Sequence, residues 1–157
     1  MIDVRIHGAR FMIRAVGVAI ADERVLLHRI DDSDYWLLPG GRMEIGESSS
    51  EAVAREMREE LGQDVTVDRL LWIAESFLKD GGQMAHALGF YYAISFPPPS
   101  QFAIERRPFT AIDGDARLDF AWLPLSQLDS LTIYPPFLRQ HLRALPDHPT
   151  RIIDDRR

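Results

Sequence analysis

Apolar residues along this chain gather into short runs divided by polar or glycine-containing breaks, and the spacing inside the runs changes from one part to another. Residues 11–21, 24–31, 68–78, 86–96 and 117–123 are rich in β-branched and aromatic residues and have lengths that suit strands. Asp22-Glu23 and the Lys79-Asp80-Gly81-Gly82 stretch predict hairpin connections, the paired glycines being the stronger turn signal. Residues 49–61 instead repeat at helical spacing, with Val53, Ala54, Met57 and Leu61 on one stripe that should face the core. Further helices are predicted at 125–130 and 135–145. Residues 97–116 show no clean period; a long irregular loop of this kind serves as either a substrate-contacting segment or a plain surface connection. The charged stretch from Asp147 to Arg157 reads as peripheral.

The predicted helix at 49–61 carries an electrostatic cost. With Glu56 set at 0°, Glu60 falls at about 40° and Glu59 at about 300°, so three carboxylates share a face. Like charges at these spacings repel by roughly 0.2–0.5 kcal/mol per pair. Gly62 suits the end of the helix, which puts Glu59 and Glu60 beside the negative end of its dipole, where Lys or Arg would be preferred. A divalent cation would offset both costs, since Mg²⁺ takes oxygen ligands and keeps several waters. Taken alone, Arg-Glu-x-x-Glu-Glu is more often a solvated acidic face.

The residues upstream change that balance. Leu37-Leu38-Pro39-Gly40-Gly41 joins an apolar run to a glycine turn whose main chain can approach a ligand closely. Ser48 followed by Glu51 has the spacing of a capping box, so the Ser48-Ser49-Ser50 run reads as a helix start; it lacks the Gly-x-Ser-x-Gly pattern of a nucleophile elbow. Gly41, Glu47, Arg55, Glu56, Met57, Glu59, Glu60 and Gly62 together resemble the Nudix box, Gly-x5-Glu-x7-Arg-Glu-U-x-Glu-Glu-x-Gly-U, where U is bulky and aliphatic. The departure is Gln63 at the final U, with Val65 nearby to take over the apolar role. The likeness extends over roughly residues 10–145, through Tyr35-Trp36-Leu37-Leu38-Pro39 before the box and a closing strand and helix at 118–128.

The resemblance implies an α/β fold, an α/β/α sandwich with a mixed, curved β-sheet, and Mg²⁺-dependent hydrolysis of a pyrophosphate bond in a nucleoside diphosphate linked to another group; Mn²⁺ is an alternative ion. It implies that Glu56, Glu59, Glu60 and the carbonyl of Gly40 hold the metal. Glu56 or Glu59 would be the base, with Arg55 and Glu47 beside them in the catalytic set. Arg55 is expected to orient a glutamate or pair with Glu47 rather than touch substrate. Asp113, Asp115 and Asp119 are candidates for the further acidic residue that some relatives use. A (deoxy)nucleoside triphosphate is the expected substrate, with a nucleotide sugar or ADP-ribose as the alternative. The proline marker of ADP-ribose hydrolases is absent, Lys79 standing near its place, and His86-Ala87 replaces the His-Glu pair of some relatives. Arg29 and Arg42 are candidates for phosphate, and Tyr35, Trp36, Phe90, Tyr92 and Phe109 for stacking on a base. A rival reading is a Nudix-fold module that binds a nucleotide without cleaving it, but such modules tend to lose box glutamates. Homodimers are frequent in the family, though nothing in the chain marks an interface.

Composition adds exclusions. At 157 residues, with 46% hydrophobic and 27% charged, the chain is expected to be a single domain spanning 1–157. With no cysteine it has no disulfide, thiolate metal site or cysteine nucleophile. A net charge of −6 argues against binding a nucleic-acid polymer, while a metal-screened nucleotide remains compatible. No run approaches the length of a membrane span and the first residues lack a signal-type apolar core, so a cytoplasmic location is expected. His7, His28, His86, His141 and His148 are scattered without metal-ligand spacing.

Overall fold

Alternation along two central strands divides the interior into two cores. In the computed structural model, which describes residues 1–80, 82–98, 100 and 107–157, the first half of the chain forms β1 (Asp3–Ile6), β2 (Ala9–Val18), β3 (Ile20–Ala21), β4 (Arg24–Ile30), β5 (Trp36–Leu37), β6 (Gly40–Arg42) and α1 (Ser49–Leu61). The second half forms β7 (Thr66–Asp80), β8 (Gln83–Ser95), β9 (Phe109–Asp113), β10 (Ala116–Pro124), a 3-10 turn (Leu125–Ser130), β11 (Ile133–Tyr134), α2 (Leu138–His141) and β12 (Thr150–Asp155). One mixed sheet has the order β1-β2-β8-β7-β12, with β6 also paired to β2; the other has the order β11-β5-β4-β10-β9, with β3 paired to β4.

Successive residues of a strand point to opposite faces, and β2 and β4 use both. Ala15 and Leu26 join Ala52, Val53, Met57 and Leu61 of α1 in one core, while Val16, Val25 and Leu27 join Leu128 of the 3-10 turn and Leu138 of α2 in the other. Helical elements thus lie on both sides of the β structure, as a sandwich requires. The small side of β2 makes room for its neighbours: a Cβ on Gly17 would come within 2.7 Å of Ile94 Cδ1 on β8 and 3.4 Å of Met57 Sδ on α1.

Local chemistry fixes the ends. Ser48 and Glu51 form both bonds of the capping box, and Gly62 closes α1 at φ 63° with its N–H donating to the Arg58 carbonyl. The Asp22-Glu23 turn has positive φ at both residues, 46° and 56°, the twist of a two-residue hairpin joining β3 to β4. β7 and β8 pair up to Asp80 opposite Gln83; Gly81, part of the predicted hairpin signal, lies outside the described residues.

Several expectations change. The helix predicted at 135–145 is helical only over Leu138–His141, because Pro135 and Pro136 confine its start and Ile133–Tyr134 pairs as a strand with β5. Residues 109–113, inside the predicted irregular segment 97–116, form β9; positions 99 and 101–106 of that segment lie outside the described residues. The tail is not peripheral: β12 pairs in parallel with β7, buries Ile152 and places Asp154 at 8% exposure. Of the predicted stripe of α1, Val53, Met57 and Leu61 are buried but Ala54 only partly so, and Ala52, outside that stripe, is fully buried. Val65 packs against the α1 core, as expected of a replacement for Gln63.

His28 lies buried in β4, opposite Phe120, with the two rings stacked at 5.0 Å and its Nδ1 without a hydrogen-bond partner. Burial, and secondarily the charge of Arg14, pushes its pKa down from 6.5 to about 4. The native state therefore binds fewer protons than the unfolded chain between these values, and stability is lost as pH falls through the window, by about 3 kcal/mol when complete. Thermal melts at pH 7 and pH 4 should show His28→Leu losing clearly less stability on acidification than the wild type. An equal loss in both would show that His28 does not govern this acid lability.

Candidate active site

β6 lies antiparallel to β2, with Gly40 opposite Val16 and Gly41 opposite Ala15, and this pairing brings the glycine turn against α1. Gly40 is required by the backbone around it, and Gly41 by the position of the Glu56 carboxylate. Gly40 has φ 137°, and a Cβ there would fall 2.4 Å from the Ala15 carbonyl oxygen. A Cβ on Gly41 would fall 2.3 Å from Glu56 Oε2, inside the space of the carboxylate itself. The Gly40 N–H donates to Glu60 Oε2 at 3.0 Å, and the Gly40 carbonyl accepts from Arg14 Nη2 at 3.2 Å.

Arg55 occupies the space between helix and loop. Its Nη2 and Nε donate to the two oxygens of Glu47 at 2.7 and 3.1 Å, while Nη1 donates to Glu56 at 2.7 Å and Glu59 at 2.9 Å. Nη2 also reaches the Arg42 carbonyl at 3.1 Å. The expected pairing with Glu47 is thus formed, and the same cation separates Glu56 from Glu59. Glu47 is in turn fixed to the loop, accepting the Glu44 N–H at 2.6 Å.

The glutamates differ in burial and so in electrostatics. Glu59 stands at the rim with its side chain 54% exposed, whereas Glu56 and Glu60 are buried. Desolvation raises the pKa of Glu60 to about 8, with the neighbouring Glu56 adding to the rise, and desolvation also raises Glu56 against the opposing pull of Arg55. Hydrogen bonds from Arg55 lower that of Glu47, and those bonds raise Arg55 in return. Among the described residues no group of three or more His, Asp or Glu side chains is set to cage a metal ion. The site offers instead two adjacent buried carboxylates, one at the rim and a loop carbonyl, an all-oxygen donor set of the sort that suits an ion retaining waters and substrate oxygens.

The remaining candidates separate. Of the acidic trio, Asp113 on β9 contributes to raising Glu60, whereas Asp119 pairs with Arg117 and accepts from Thr110, both on its own sheet. Arg42 is ion-paired with Asp3 at 2.6 Å, and Arg29 lies 4.8 Å over the ring of Trp36. Tyr35 reaches the cleft, but Phe90, Tyr92 and Phe109 pack against the α1 core. His86 sits between Phe77 and Phe11, at 4.4 and 5.3 Å, as a strand residue would.

A cleft of about 510 Å³ opens between the sheets on the side of β2 facing away from α1. Small residues, Ala85, Ala87 and Gly89 of β8, form its floor; Arg10, which is held at two points by Asp3, lines it together with Arg14 and Arg156, and the lining itself includes no carboxylate. None of these arginines was singled out by the sequence pattern. A usable signal existed for two of them: Arg10, Met12, Arg14 and Val16 alternate on one face of an otherwise apolar strand.

The NUDIX domain family model matches residues 12–145. Two proteins of Bacillus subtilis strain 168 are each 40% identical over 60 residues, 38% of this chain: a putative ADP-ribose pyrophosphatase, YjhB, and an uncharacterized Nudix hydrolase, YvcI. These stretches span 29% and 38% of the lengths of those curated relatives. Among solved structures, a mutator MutT protein from Bacillus halodurans superposes with a TM-score of 0.66 at 20% identity, covering 92% of this chain and 89% of that one. An ADP-ribose pyrophosphatase from Streptococcus suis gives 0.54 at 17% identity, covering 91% and 98%. The structural likenesses establish a shared fold, and the family match, running through most of the chain and across the glutamate helix, shows that this chain belongs to the Nudix family.

Proposed function

We propose that residues 1–157 act as one hydrolase domain that cleaves a pyrophosphate bond in a nucleoside diphosphate linked to another group. The observation that carries this reading is the adjacent burial of Glu56 and Glu60 against the Gly40 loop, whose carbonyl Arg14 ties to an arginine-lined cleft on the other side of β2. Two desolvated carboxylates side by side are unfavourable on their own, and the oxygen donors there suit Mg²⁺, or Mn²⁺ in its place. Glu56 and Glu60, with Glu59 and the Gly40 carbonyl, would hold the ion. When bound, it would neutralise phosphate charge and lower the pKa of a coordinated water.

The chain's own groups do the rest. Arg55 fixes the direction of Glu56 and Glu59, either of which accepts the water's proton, and Glu47 anchors Arg55 to the loop. Arg14, bonded to the Gly40 carbonyl, brings a cation to the boundary between glutamates and cleft, where it meets substrate phosphate. Tyr35 offers a ring to the base from the opposite sheet, and the Arg29–Trp36 pair supports that wall. A (deoxy)nucleoside triphosphate is the first substrate class; ADP-ribose is the second, favoured by the name of one relative that matches part of the chain.

Two measurements test the proposal. A panel of nucleoside triphosphates, nucleotide sugars and ADP-ribose with Mg²⁺ should release phosphate, pyrophosphate or a nucleoside monophosphate, and Glu56→Gln and Glu60→Gln should each lower turnover by about 100-fold or more. Turnover indifferent to both substitutions, or nucleotide binding without any turnover, would count against hydrolysis at this site. The second measurement is stability in EDTA. Because Glu60 holds its proton to about pH 8 when folded but only to about 4.5 when unfolded, its contribution is complete below 4.5 and is lost as pH rises through 8. The wild-type Tm should therefore fall between pH 6 and 9, Glu60→Gln should flatten the fall, and Mg²⁺ at pH 9 should raise the wild-type Tm more than that of the variant.

A further inference from the structure

The matched family region ends at residue 145, yet the chain continues into β12, which adds to the sheet beside β7 and carries residue 156 to the cleft. The Arg156 N–H donates to the Phe77 carbonyl at 2.7 Å, extending the strand ladder by one residue and fixing the backbone from which the side chain projects. Period-two alternation along β12 then puts Ile152 in the core and both Asp154 and Arg156 on the same face. Arg156 stands across the cleft floor from Arg10 and Arg14, with β8 and β7 between them, roughly three strand spacings or about 14 Å at the level of the backbone.

The surroundings of Arg156 orient it for recognition. Its guanidinium lies 5.6 Å from the Tyr134 ring and its Nη2 is 2.9 Å from Asp154 Oδ2, so one face and one corner are held. Its Nε is buried and has no hydrogen-bond partner. The side chain is nonetheless 28% exposed and lines the cleft, and guanidinium suits planar, two-point contact with phosphate or carboxylate. The protein carries a net charge of −6, yet three arginines line this cleft, and the carboxylates that pair with two of them, Asp3 with Arg10 and Asp154 with Arg156, lie outside the lining.

We infer that β12 supplies Arg156 as a specificity-determining residue, which reads a second anionic group on the substrate, away from the bond cleaved beside the glutamates. The favoured substrates are thus nucleotides that carry a further phosphate or carboxylate beyond their 5′-phosphate chain. The inference rests on the hydrolase reading for the orientation of the substrate, but its test does not depend on turnover.

Calorimetry in EDTA would compare adenosine 5′-monophosphate with adenosine 3′,5′-bisphosphate and with an adenosine 5′-monophosphate carrying a dicarboxylate on its base. At least one of the two doubly anionic probes should bind about tenfold tighter than the monophosphate. Whichever gains more identifies the anion as phosphate or carboxylate. Arg156→Met should reduce that ratio to below about twofold, and Arg156→Lys should restore part of it. Because Arg156→Met leaves Asp154 buried and unpaired, the double variant Asp154→Asn/Arg156→Met provides a second comparison, with folding checked by thermal melt, and should lose the preference as well. A wild type that binds all three alike or none of them, or variants that keep the preference, would overturn the inference. A wild type that shows the preference but no turnover would instead sink the hydrolase reading alone.

Discussion

The guanidinium of Arg55 is the contact on which the glutamate site depends. Three carboxylates and a backbone carbonyl converge on it, and they come from separate parts of the chain: Glu56 and Glu59 from α1, the Arg42 carbonyl from the end of β6 and Glu47 from the loop between them. Such charge-assisted bonds are stronger than neutral ones, and the planar fork fixes direction as well as distance. Lys at this position would supply the charge without the geometry. Around this pin the glycines set the spacing, since Gly41 leaves room for the Glu56 carboxylate and Gly40 turns its N–H toward Glu60. Loop and helix are held at one separation by a cation at one end and by the absence of side chains at the other.

How much of this was legible in the chain depended on whether the determining signal was local. The bounds of α1 follow from Ser48, Glu51 and Gly62, whose capping bonds span a few residues, and the long strands follow from runs whose apolar content exceeds what a surface segment carries. β12 was missed because Thr-Arg-Ile-Ile-Asp-Asp has few apolar residues and a charged end; it becomes a strand because the edge of β7 is available to pair with it. The region before β10 failed in the same way. Phe109–Asp113 is short and half-polar, and its partner lies on the far side of a two-residue turn. α2 was overextended because apolar content after Pro136 resembles a helix, whereas pairing of Ile133–Tyr134 to β5 takes the preceding residues.

The site divides along the same line. The glutamates, Arg55 and both glycines could be found from spacing, because a helix and the loop beside it carry them in one stretch. The cleft could not, since Arg10, Arg14, Arg156 and Tyr134 come from three separate parts of the sequence and meet only through the order β2-β8-β7-β12 and the facing sheet. Aromatic residues misled for a related reason: Phe90 and Tyr92 have the chemistry for stacking on a base, but their register on β8 turns them toward α1 rather than toward the cleft.

β12 has a consequence of another kind. A sheet edge presents a row of unpaired N–H and C=O groups that can template pairing with another chain. β7 is fifteen residues long, and β12 covers it from Trp72 to Phe77, so the longest strand of the molecule is shielded along its middle rather than left open to solvent. The exposed charged residues Arg151 and Asp155 then lie along the new outer strand, where they discourage further growth of the sheet. The same short segment that carries a cation to the cleft thus also covers part of an edge that would otherwise be open to strand pairing.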